Sequence, residues 1–82
     1  MATPPNLHET LELREKLPAP SERRAIRERL GLSRELVARD LGVSLQTLAQ
    51  WEAGHSEPRL SNLVAYVELL ERLRSECDRS GR

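Results

Sequence analysis

Residues Ser33 to Pro58 read SRELVARDLGVSLQTLAQWEAGHSEP, and this stretch holds two short helices, each with its own start and stop signal. Ser33 can accept a hydrogen bond from the unpaired amides of a first helical turn, and Gly42 can take the left-handed conformation that ends the helix. Ser44 and Gly54 repeat the scheme for a second helix. Only Val43 lies between Gly42 and Ser44. A connection that short forces the two helices to cross steeply, with Val43 plugging the corner.

The helical period divides the second helix, Leu45 to Ala53, into two arcs. Thr47, Leu48, Trp51 and Glu52 share one, and Gln46, Ala49, Gln50 and Ala53 share the other. The second arc is expected to face outward as a reading surface. Glutamine can pair with the N6 and N7 edge of adenine in the major groove, and a small apolar side chain can approach a thymine methyl. The ordinary alternative is a solvated face, because Gln and Ala are good helix formers. The caps, the corner and the Glu52, Gly54, Pro58 ending together favour a DNA-reading helix-turn-helix.

From Leu32 to Pro58 the chain resembles the helix-turn-helix of the Cro/C1-type (XRE-like) family of phage and bacterial repressors. A looser match runs from about Ser21 to Leu73. The residues that carry it are Ser33, the small Ala38, the Gly42, Val43, Ser44 turn, and the Glu52 and Gly54 pair. The resemblance implies base reading by Leu45, Gln46 and Gln50, and the outward arc adds Ala49 to that set. The resemblance also implies phosphate contacts from Ser33 and Arg34 at the start of the first helix of the pair, and from Arg59 just past Pro58.

Three positions depart from the family pattern. Arg34 stands where members usually carry Gln, and Leu45 and Ala49 stand where they often carry polar or charged side chains. A guanidinium forks onto phosphate oxygens, which strengthens that contact, whereas Leu45 removes one possible hydrogen bond to a base. Sequence preference is therefore expected to be modest. Glu52 points inward by the helical period, and the family resemblance implies a structural ion pair with Arg27 on the preceding helix.

A chain of 82 residues makes one small domain, which typically buries about 60% of the surface its unfolded chain exposes. Phe is absent and hydrophobic residues make up 38%, so the core must be aliphatic with Trp51 as its largest plate. The fold class expected is all-α: a small, lambda-repressor-like bundle of about four core helices with a helix-turn-helix, plus a short N-terminal helix. No cofactor cavity is implied, and no nucleophile-and-base set, phosphate loop or ligand cluster points to an enzyme. Cys77 is the only cysteine, so neither an intrachain disulfide nor a zinc set can be assembled. His8 and His55 have no ligand partners at useful spacing, which leaves metal binding without support. The start MATPPNLHET lacks a basic head and an apolar run, and later apolar runs are too short for a membrane span. A cytoplasmic protein, nucleoid-associated when bound to DNA, is expected.

Basic and acidic residues balance at 13 each, which argues against strong binding to DNA because counterion release normally supplies much of the affinity. Distribution tempers that objection. The first core helix, Glu22 to Leu30, carries Arg23, Arg24, Arg27 and Arg29, while many acidic residues fall in the flanks. For most of these arginines a solvated surface and a phosphate contact are equally good readings. Weak monomer binding that gains from pairing follows.

Organisation along the chain is simple. Residues 1–20 form an N-terminal arm that holds four of the five prolines. Within it a helix from Leu7 to Leu17 is started by Asn6 and stopped by Pro18, with a partial apolar face that packs on the domain or on a second copy. Pro18, Ala19 and Pro20 form a stiff joint, and Ser21 is expected to cap the next helix. Residues 21–76 form the helix-turn-helix domain and 77–82 a disordered tail. After Pro58, Ser61 or Asn62 is expected to cap a last helix. Leu63, Val67 and Leu70 would close the core, and Tyr66, Leu69 and Leu73 would form either part of the same face or a stripe for a partner helix.

The function expected is a sequence-specific, double-stranded DNA-binding transcription regulator acting as a repressor, with a homodimer reading two half-sites one turn apart. The competing reading is a protein-interaction module of the same fold that binds another regulator or a phage or host protein. Zero net charge and an uncharged reading helix favour it.

Overall fold

The computed structural model describes residues 6–80 and forms five helices among them: α1 Leu7–Lys16, α2 Pro20–Arg29, α3 Arg34–Leu41, α4 Leu45–Ala53 and α5 Leu60–Ser80. α3 and α4 cross at the Val43 corner and pack on each other, α2 lies against both α4 and α5, and α1 lies against α5. The all-α expectation holds.

The two central helices begin and end on the residues their sequence signals name. Ser33 Oγ accepts from the Leu36 amide at 3.1 Å, and Ser44 Oγ accepts from the Thr47 amide at 3.1 Å. Gly42 and Gly54 have φ of 71° and 78°, a region where any residue with a Cβ is strained. Their positive φ turns the chain back so that the Val43 amide reaches Ala38 O at 3.0 Å and the His55 amide reaches Gln50 O at 3.0 Å. Orphan carbonyls at both helix ends are thereby paired.

The core joins Ile26 of α2, Val37 and Ala38 of α3, Leu48 and Trp51 of α4, and Tyr66 and Leu70 of α5. Trp51 and Tyr66 stack in a tilted arrangement with ring centroids 5.0 Å apart. Leu63 and Val67 are also fully buried. Tyr66 belongs to this core and is not available for a second stripe; its burial pushes the phenol well above its ordinary pKa. Leu69 and Leu73 are half-buried against the core rim.

Helix boundaries differ from the sequence expectation at five places, four of them in α2 and α5 and one at the end of α1. α2 starts at Pro20 with Ala19 before it and no side-chain cap, so Ser21 sits inside the first turn. Proline suits the first helical position because its fixed φ is helical and its missing N–H would have no partner there. α2 also ends at Arg29 rather than Leu30. α5 starts at Leu60, with the Leu63 amide donating to Arg59 O at 2.9 Å, so Ser61 and Asn62 are first-turn residues and not caps. α5 then continues to Ser80. Cys77 packs half-buried against the core and its Sγ donates to Ile26 O at 3.8 Å, which makes 77–80 helix and not tail; 81–82 lie outside the described residues.

α1 opens as expected, with Asn6 Oδ1 accepting from the Glu9 amide at 2.8 Å. It ends at Lys16, with Leu17 in extended backbone ahead of Pro18, as a following proline requires. Leu17 packs on the core, whereas Leu7 and Leu11 stay exposed.

Candidate nucleic-acid interface

α4 displays the two arcs that its period dictates. Leu48, Trp51 and Glu52 are buried and Thr47 is half-buried, while Leu45, Gln46, Gln50 and Ala53 are exposed and Ala49 is half-buried. The Ser44 hydroxyl donates to Thr47 Oγ1 at 2.8 Å while accepting the Thr47 amide, so the first turn is fixed on both sides. The outward face carries amides and small or apolar groups and no charge. Such a face can exchange paired hydrogen bonds with a base edge without a desolvated ion.

Glu52 lies beneath that face with its side chain 3% exposed. Arg27 Nε donates to Glu52 Oε2 at 2.7 Å and Nη2 to Oε1 at 2.9 Å, while Nη1 donates to Leu32 O at 2.8 Å. The guanidinium therefore ties α2 to α4 and to the turn that leads into α3. Burial by itself pushes the Glu52 carboxyl up, but hydrogen bonds from Arg27 and Arg34 together with their charges outweigh it and hold the group below its ordinary value. Arg27 is correspondingly raised, chiefly by its hydrogen bonds to Glu52.

The residues named for phosphate contact sit in three different situations. Ser33 is exposed, with its hydroxyl already accepting the Leu36 amide. Arg34 is not wholly free: its Nε donates to Glu52 Oε1 at 3.1 Å, and its side chain is 38% exposed. Its two Nη groups have no partner among the described residues. Arg59 is exposed and makes no side-chain hydrogen bond among the described residues, and His55 is exposed nearby on the same connecting segment.

One residue of this region was not singled out from the sequence. Arg23 is buried, and its guanidinium donates to Pro18 O at 2.7 Å, to Trp51 O at 3.0 Å, and to the Glu57 carboxylate at 3.2 and 3.1 Å. Its place one turn before Arg27 was the available signal, since residues four apart share a helix face. Among the described residues no buried side-chain polar atom lacks a partner, no cluster suits a metal ion, and no helix is long and apolar enough to cross a membrane.

The family model for the helix-turn-helix of Cro/C1 (XRE-like) type matches residues 24–74, which runs from within α2 through α3 and α4 and into α5. No curated protein and no solved structure matches the chain. With more than half of its length under that match, the chain belongs to the Cro/C1-type helix-turn-helix family of DNA-binding transcription regulators.

Proposed function

We propose that the protein is a sequence-specific repressor of phage, plasmid or bacterial origin that occupies a double-stranded operator, with α4 in the major groove. The observation that carries this reading is the outward arc of α4. Gln46 and Gln50 stand exposed on one face of a helix whose opposite face is locked by Leu48, Trp51 and the Glu52 ion pairs. In this reading Leu45, Gln46, Ala49 and Gln50 meet base edges, while Ser33, Arg34 and Arg59 meet phosphates. The Arg27 and Glu52 pair sets the angle between α2 and α4 and touches no DNA.

Homodimerisation belongs to the same reading. A single module of this kind buries about 600–1,000 Å² on DNA, and pairing doubles the footprint on a palindrome. Neutral overall charge makes that doubling more important. The protein works in the cytoplasm and associates with the nucleoid through its operator.

A second reading is favoured by a specific surface. Leu36 and Leu45 are large apolar side chains exposed on the helix-turn-helix, and a groove between α3 and α5 is lined mainly by leucines. These suit a module that binds another protein.

Selection from a random duplex library at moderate salt, with a Gln46→Ala, Gln50→Ala double variant in parallel, separates the two. An enriched sequence that fades in the double variant supports base reading, and two-fold symmetry within it supports the dimer. No enrichment at any salt favours the protein-binding module.

A further inference from the structure

We propose that Arg23 and Glu57 form a bracket that positions the segment from His55 to Arg59 for phosphate contact, an inference that rests on the DNA-binding reading above. Arg23 is only 4% exposed, and its one guanidinium gathers three separate parts of the chain. Nε holds Pro18 O in the joint between α1 and α2, Nη1 holds Trp51 O in the last turn of α4, and both Nη groups hold the Glu57 carboxylate.

The segment beyond α4 has few other restraints. Its ends are fixed, by the His55 amide on Gln50 O and by Arg59 O as acceptor for the first bond of α5. Between them, Pro58 is buried as an apolar anchor. Ser56 and Glu57 make no backbone-to-backbone bond among the described residues, so the Glu57 side chain is the polar tether. Arg59 follows Pro58 directly and is exposed. Its direction is set by the segment that Glu57 and Pro58 hold down.

Stability alone is a poor account of this arrangement. Burying the Arg23 charge costs desolvation that a pairing with the partly exposed Glu57 offsets only in part, so an apolar side chain of the same volume could be as stabilising. What an apolar residue at position 23 could not do is fix two backbone carbonyls and a carboxylate at once. The bracket also neutralises Glu57, a charge that would otherwise repel the phosphates it lies near.

Glu57→Ala gives a test whose sign discriminates, since Glu57 is 45% exposed and outside any helix. Removing a carboxylate beside DNA should tighten binding by simple electrostatics, whereas loss of the bracket should weaken it. Affinity for the selected duplex is to be measured for the unaltered chain, Glu57→Ala, Arg59→Ala and the double variant. We expect Glu57→Ala to weaken binding roughly three- to tenfold, and to cost nothing once Arg59 is already Ala. Exchange of the His55 amide, which is bonded to Gln50 O, should quicken while the amides of Ile26, Val37 and Leu48 keep their protection. Tighter binding by Glu57→Ala, or an equal loss with and without Arg59, overturns the proposal, as does unchanged exchange at His55. If the unaltered chain binds no duplex, the DNA reading falls, and exchange at His55 alone decides whether the bracket orders the segment.

Discussion

Arg34 Nε lies 3.1 Å from Glu52 Oε1, so the arginine at the start of α3 is held by the same carboxylate that Arg27 grips from α2. One buried group thus ties α4 to α2 and holds a candidate phosphate ligand at the start of α3. The two Nη groups of Arg34 remain available to fork onto a phosphate while Nε stays on Glu52.

Arg34→Lys should therefore weaken DNA binding even though the charge is kept. Lysine offers a point charge with no fixed fork, and it cannot serve Glu52 and a phosphate in the same planar arrangement. Arg34→Ala should weaken binding to all duplexes alike and lower the salt slope by about 1. Titrations at several salt concentrations read both effects. Unchanged affinity in both variants would leave Arg34 as a structural partner of Glu52 only.

Gln46→Ala and Gln50→Ala should act differently, through preference rather than general affinity. If each amide makes a bidentate contact with a base, each variant should relax discrimination at one position by about 1–3 kcal/mol while nonspecific binding stays the same. Competition between the selected duplex and singly mismatched duplexes measures this directly. A uniform loss across all duplexes would move these side chains from base reading to backbone contact.

The parts that were legible from the sequence are those that rest on neighbours in the chain. Ser33, Gly42, Ser44 and Gly54 act within a few residues of themselves, so the limits of α3 and α4 follow from local rules. The inner arc of α4 was legible for the same reason, since a period needs only a short window. Arg23 was opaque because its meaning lies in Trp51 and Glu57, 28 and 34 residues away. Charge counting left it among the arginines of α2 for which a solvated surface and a phosphate contact are equally good readings. The start of α5 was misjudged because Ser61 and Asn62 are cap-forming types, yet the helix begins directly after the buried Pro58 and the exposed Arg59. Tyr66 could belong to either stripe by period alone, and only the stack with Trp51 decides it.

Glu52→Ala should be the most damaging change at the interface, through stability rather than contact. It would leave the buried Arg27 guanidinium unpaired, and breaking a buried pair in this way costs about 3–5 kcal/mol. Domains are typically stable by only about 5–15 kcal/mol, so the loss is a large share. Acid should reproduce part of it. Because the folded-state value of Glu52 is depressed, its contribution is complete above the ordinary glutamate range and disappears as pH falls through the depressed value. The gap in thermal midpoint between the unaltered chain and Glu52→Gln should therefore be widest near neutrality and narrow in acid. A gap that stays constant with pH would contradict the role assigned to the ionised carboxylate.

Gly54→Ala and Gly42→Ala make a matched pair, because both glycines end a helix with positive φ, 78° and 71°, but their surroundings differ. A Cβ on Gly42 would meet nothing within 4 Å, whereas one on Gly54 would lie 3.2 Å from Pro20 Cγ. Both variants carry the strain of a left-handed residue with a side chain, about 1–2 kcal/mol. Gly54→Ala must in addition push the end of α4 away from the start of α2, where the proline ring can yield only by puckering. It should unfold at lower temperature than Gly42→Ala, since a domain of this size loses about 4–8 °C per kcal/mol. The displaced end of α4 also carries Gln50, so Gly54→Ala should blur base preference at that position while Gly42→Ala leaves it sharp. Equal midpoints for the two variants would mean that the contact between Gly54 and Pro20 does not fix the end of α4.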